Sequence, residues 1–144
     1  VSSACLGSID LVKAAQGSAE KLGATSTTNE RVECLTVILD VPLVAKTAGV
    51  SATAVRKWLK GTEPRPETAM AIDDLRSVVV VLLEAGFEPA RIRSWFFTRN
   101  PQWLDNERPI DCLISRPIMV LSAANDAAMI HRFGPSAGAH AVDS

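Results

Sequence analysis

Apolar positions recur three and four residues apart through most of this 144-residue chain, and glycine or proline separates one block from the next. Val32, Leu35, Ile38 and Leu39 make the first stripe, opened by Thr27 and Glu30 at the spacing of a capping box. Asp40 is placed to cap the next helix, with Pro42 in its first turn and Val44, Ala45 and Ala48 facing inward before Gly49. Ser51 caps a further helix that runs to Lys60 and stops at Gly61. After the rigid stretch TEPRP, Pro66 opens a long segment in which Met70, Ile72, Leu75, Val79, Leu82 and Leu83 keep helical spacing. Its VVVV run alone also suits a buried strand, but the Ala-rich start and flanking acids favour helix. Gly86 closes that segment. EPARIRSWFF reads as another helix, TRNPQWLDNERP as a compact loop holding up to one helical turn, PIDCLI as a short helix and RPIMVLSAANDAAMIHRF as the last one. The predicted fold class is all-α.

The ends differ in composition from this middle. Residues 1–29 are rich in Ser, Thr, Ala and Gly, and a weak helix behind Ser8 is broken at Gly17 and Ser18, so the stretch reads as a flexible arm. Residues 133–144 read as a disordered tail. At 47% hydrophobic and 22% charged residues, the remainder has enough apolar surface for a core. The longest apolar run, Val78 to Leu83, is far short of the eighteen or so residues a membrane span needs, and no basic flank precedes an apolar block at the start. Three scattered cysteines (Cys5, Cys34 and Cys112) fit a reducing compartment, and the expected location is the cytoplasm. His131 and His140 have no companion cluster of ligands, so neither a metal nor a cofactor is expected. No nucleophile–base pair, phosphate loop or carboxylate pair stands at a recognisable spacing, which argues against an enzyme.

Charge changes the picture only locally. The chain carries a net charge of −1, yet residues 43–65 hold Lys46, Arg56, Lys57, Lys60 and Arg65 against Glu63 alone. Such asymmetry points to a polyanionic partner for that segment. The same segment meets the steric demands of a helix-turn-helix over residues 30–65. Ala45 permits close crossing of the two helices, Gly49 permits a left-handed turn, Val50 plugs that turn, and Val55 and Trp58 bury the second helix. Ala52, Thr53, Arg56, Lys57 and Lys60 then point outward. Arg56 suits a bidentate contact with a guanine edge and Thr53 a thymine methyl or a phosphate. Lys57, Lys60 and Arg65 suit phosphates, as does Ser51 with its helix N-terminus. The competing reading is a solvated cationic helix, or a helix-turn-helix kept as scaffold or dimer surface.

Residues 66–132 are assigned to a second helical unit. Within it, SWFFTRNPQWLDNERPIDCL, residues 94–113, combines Trp95 closing a helix, the turn Asn100-Pro101, Leu104, and Pro109 and Asp111 opening a short helix with Leu113. Trp103 and Leu104, apolar in a charged loop, read as folded back onto the helix bearing Trp95 and Phe96, and Trp95 and Leu113 also suit a purely packing role. This signature, with the preceding helix-turn-helix and long helix in order, resembles the Xre/MbcA/ParS-like antitoxins over residues 30–132. Where members of that family carry glycines this chain has Asp105-Asn106, and asparagine tolerates a left-handed turn. The resemblance implies an antitoxin of a type II toxin–antitoxin system. Its partners would be a RES-domain toxin that destroys NAD+ and operator DNA, in homodimers and in hetero-oligomers with the toxin. Toxin contacts are expected at Trp95, Asn100, Trp103 and Leu104, and at Ile130, His131, Arg132 and Phe133 of a C-terminal segment that obstructs the toxin's active site. Truncation after Pro117 is then expected to abolish inhibition and spare DNA binding. The alternative is a stand-alone helix-turn-helix repressor, prophage or chromosomal, whose second half serves as a dimerisation domain.

Overall fold

The capping side chains read from the sequence form the hydrogen bonds expected of them. Thr27 Oγ1 accepts the Glu30 N–H at 3.2 Å, and its hydroxyl donates to Glu30 Oε1 at 3.0 Å. Asp40 Oδ1 accepts the Leu43 N–H at 3.0 Å, and Ser51 Oγ accepts the Ala54 N–H at 3.1 Å. Each satisfies one of the amide donors that a helix start leaves unpaired. The computed structural model describes residues 19–25 and 27–134, and within them every regular element is helical. In order these are α1 (19–23), α2 (Thr28–Leu39), α3 (Val41–Ala48), α4 (Ala52–Leu59), α5 (Pro66–Glu84), α6 (Pro89–Phe96), α7 (Pro109–Cys112) and α8 (Pro117–Phe133). The VVVV run lies inside α5, where Val78 and Val79 are buried and Val80 and Val81 half-buried.

α2 and α3 share Asp40 as their only link. Its φ of 76° is uncommon for a residue with a Cβ, and it is held from both sides: its N–H donates to Thr36 O at 3.0 Å while its carboxylate caps α3. α3 ends in a left-handed Gly49, φ 73° and ψ 31°, and the Val50 N–H closes back on Ala45 O at 3.0 Å. The backbone angle calls for glycine here, and a Cβ, 2.7 Å from Cδ1 of Ile114, would also push aside the end of that exposed side chain. Gly49→Ala is expected to cost at least about 1–2 kcal/mol from the backbone alone. Urea denaturation measures it, and a midpoint equal to that of the wild type would contradict the strain.

Two sequence expectations need correction. Residues 1–29 are not an arm throughout: 19–23 are helical, taking in the last four residues of the weak helix read over IDLVKAAQGSAEKL, and Ala19 and Leu22 are buried in the core; residues 1–18 lie outside the described residues. Met70 was expected to face inward, yet it is 68% exposed, because Ala71, Ile72 and Leu75 already fill the inward face of α5 there. The loop after α6 holds the single helical-type turn expected of it, with the Leu104 N–H donating to Asn100 O at 3.2 Å, and it closes through an isolated antiparallel bridge between Asn100 and Glu107.

The division at residue 65 does not separate two cores. Val32, Leu35 and Val44 from the first segment, and Ile72, Leu82, Phe96 and Val120 from the second, belong to one cluster of buried side chains. α5 is its axis, packing against α2, α3, α6 and α8. Truncation after Pro117 would therefore strip Val120, Ala123, Ala124 and Ala128 from the shared interior, so it cannot be expected to spare the first half. The segment 135–144 lies outside the described residues, and Phe133 ends α8.

Asp74, half-buried on α5, has its carboxyl pushed above the ordinary aspartate value, first by burial and second by the neighbouring Asp73. A raised folded-state value means that the ionised form costs stability at neutral pH and that the cost fades as pH falls through that value. Asp74→Asn is expected to raise the unfolding midpoint at pH 7, with the gain shrinking towards pH 4. A gain independent of pH would contradict the charge argument.

Candidate nucleic-acid interface and partner surface

α4 is anchored along one side and free along the other. Val55 and Trp58 are buried against the core, and α4 packs on α2 and α3. At its far end Asn29 Nδ2 donates to Trp58 O at 2.8 Å and to Thr62 O at 3.2 Å, tying the last turn to α2. Gly61, φ 111°, then turns the chain away, with its N–H on Trp58 O at 3.0 Å. Asn29 was not among the residues singled out from the sequence. It lies twenty-nine positions from Trp58, and no local pattern marks a side chain that caps a distant helix.

The opposite side carries Thr53, Arg56, Lys57 and Lys60, at i, i+3, i+4 and i+7, all exposed. Among the described residues none of the three cations is in an ion pair: the bridges that form join Arg31 and Arg76 to Asp73, Arg108 to Asp111, and Arg116 to Asp105. Ser51 caps this helix and remains exposed. Arg65 is exposed too, but it sits beyond Gly61–Pro64 at the N-cap of α5, off the α4 face. The sequence thus anticipated one cationic stripe on a rigidly seated helix, and Arg65 stands apart from it.

The residues expected to meet a protein partner fall into two groups. Asn100 and Leu104 work inside their loop. Asn100 Oδ1 accepts the Trp103 N–H at 2.7 Å, its N–H donates to Glu107 O at 2.9 Å, and its carbonyl accepts the Asn106 N–H at 2.9 Å. Leu104 is fully buried, so its place in a partner surface is corrected to a place in the core. Asp105 and Asn106 both take left-handed backbone angles, φ 53° and 68°. Arg99 donates to Asn106 O at 3.0 Å and Arg116 to Asp105 Oδ2 at 3.0 Å, holding that turn from either side. Trp103 is half-buried on the core with its Nε1 lacking an acceptor.

The second group converges between α6 and α8. Trp95, edge-on to Phe96 at 5.1 Å, lines a shallow groove of about 280 Å³ with Phe87, Arg91, Ser94, Thr98, Ala127 and Ile130. His131 packs edge-on to Phe87 at 4.8 Å, and its Nδ1 accepts from Arg91 Nη1 at 3.0 Å. Arg132 Nη2 donates to Glu84 O at 2.9 Å, so this cation also serves as a remote cap for α5. Phe133 is 73% exposed at the end of the helix. Among the described residues no group of His, Cys, Asp and Glu could hold a metal, and no helix is long and apolar enough to cross a membrane. Cys112 is buried and Cys34 half-buried, both unbridged; Cys5 and His140 lie outside the described residues.

No protein-family model, curated protein or solved structure matches the chain.

Proposed function

We propose that this protein is a DNA-binding antitoxin: it reads an operator through α3, the Gly49 turn and α4 as a helix-turn-helix, and it binds a RES-domain, NAD+-degrading toxin through its second half. The observation that carries this reading is the pairing of two exposed surfaces on one core. The first is the α4 stripe of Arg56, Lys57 and Lys60, unneutralised on a helix whose other side is locked by Val55 and Trp58. The second is the α6–α8 end, where Trp95, Ile130 and Phe133 leave apolar surface beside Arg91 and Arg132. A cationic stripe of this kind draws phosphates, and exposed large apolar side chains grouped at one end of a fold suit a protein partner. The resemblance of residues 94–113 to the Xre/MbcA/ParS-like antitoxins supplies the identity of that partner.

The test is co-expression with the product of the neighbouring gene, co-purification, and an NAD+-consumption assay with and without this chain. The expected result is a complex in which NAD+ loss is suppressed at stoichiometric ratio. Full toxin activity in the presence of excess folded protein would reject the toxin assignment. DNA binding is expected to weaken with salt at a log–log slope of about −0.9 per phosphate neutralised. A flat dependence would remove α4 from contact with a backbone. A second reading, a stand-alone repressor whose second half pairs two copies, is favoured by Ile118, 77% exposed at the start of α8. Specific operator binding with no toxin in the neighbouring gene would select it.

A further inference from the structure

The second half of the chain reaches the turn between α3 and α4. α7 is four residues long, yet its position is firmly set: Ile110, Cys112 and Leu113 are buried in the core, and Arg108 Nε donates to Asp111 Oδ2 at 2.9 Å. Beyond it the Arg116 N–H donates to Cys112 O at 2.8 Å, while its guanidinium donates to Asp105, to Leu104 O and to Cys112 Sγ. With Leu113 held inward, the next side chain, Ile114, is carried over Gly49. Its Cδ1 lies 2.7 Å from where a Cβ of residue 49 would stand, so the side chain rests against the glycine backbone. Around it lies an open recess of about 360 Å³ shared by Lys46, Val50 and Asp111. Ile114 is 59% exposed, so hydrophobic burial alone does not account for its placement. Its contact is with the hinge of the two-helix unit, two residues before the Ser51 cap of α4.

We infer that Ile114 is a positioning residue for DNA reading: it braces the Gly49 turn, so that α7 sets the angle at which α4 meets a duplex. The inference rests on the proposed reading of α4 as the DNA-contacting helix. Base contacts depend on the placement of a few side chains, whereas phosphate attraction tolerates small rotations. Loss of the brace should therefore erode specific binding and leave non-specific binding intact. It also means that the half proposed to grip a protein partner is in mechanical contact with the half proposed to grip DNA.

The experiment uses the full chain. A duplex is first selected from a random-sequence library by the wild-type protein, and its affinity is compared with that of a scrambled duplex of the same length. Ile114→Ala is expected to weaken binding of the selected duplex about tenfold, as losing one bidentate base contact would. Affinity for the scrambled duplex and the salt slope are expected to stay at wild-type values, and Ile114→Val to restore most of the loss. Selected-duplex affinity within twofold of wild type in Ile114→Ala would overturn the brace alone. An equal fall on both duplexes would also overturn it, since that pattern reports lost fold. If the wild type selects no sequence, the reading of α4 fails first and the brace with it, and that outcome is seen before any variant is measured.

Discussion

Trp58→Ala is expected to remove about 3–5 kcal/mol of stability, the range for deleting a buried aromatic side chain. Trp58 is 6% exposed, lies beside Val55 on the inward side of α4, and its carbonyl is the acceptor for Asn29 Nδ2 and for the Gly61 N–H. A loss of that size is a large share of the 5–15 kcal/mol that holds a typical domain. The single core sharpens the expectation. Of the three tryptophans, the variant keeps Trp95 and Trp103, both in the second half, so their fluorescence reports that half alone. In urea their transition should shift to lower concentration together with the far-ultraviolet circular dichroism, as one cooperative event. A fluorescence transition that stays at its wild-type midpoint would mean that the halves unfold separately and that the shared interior is not a cooperative unit.

Arg56→Glu should abolish sequence-specific DNA binding. One bidentate guanine contact is worth about 1–3 kcal/mol of discrimination, and reversing the charge sets a carboxylate against phosphates as well, so a loss of about a hundredfold or more is expected. The fold should not register the change: Arg56 is exposed and makes no ion pair among the described residues, and such surface substitutions stay within about 0.5 kcal/mol. Suppression of NAD+ loss by the variant should match the wild type, because Trp95, Ile130 and Phe133 lie on other elements. Electrophoretic mobility shift on the selected duplex reads the first effect and the NAD+ assay the second. Unchanged operator affinity would show that the α4 stripe faces something other than bases.

Local chemistry was readable residue by residue. Thr27, Asp40 and Ser51 cap helices because a short oxygen-bearing side chain reaches amides three residues ahead, an interaction contained in four consecutive positions. The exposed stripe of Thr53, Arg56, Lys57 and Lys60 follows in the same way from helical period once Val55 and Trp58 are taken as buried. Leu104 carried two expectations: as an apolar residue in a charged loop it reads as folded back onto the helix of Trp95 and Phe96, and the family resemblance makes it a toxin contact. Its complete burial agrees with the first and overturns the second. Arg93, on Ile38 O at 2.7 Å, and Arg132, on Glu84 O, have roles set by carbonyls more than forty positions away.

From sequence alone, then, came the all-helical class, the helix starts, the glycine at the α3–α4 turn and the cationic side of α4, because each follows from backbone sterics or helical period within a few neighbouring residues. Tertiary structure alone decided that the two halves share one interior, that α1 belongs to it, and that Ile114 rests on Gly49. Those outcomes depend on which apolar faces meet across the fold, and water excludes apolar surface without regard to where along the chain the partner lies.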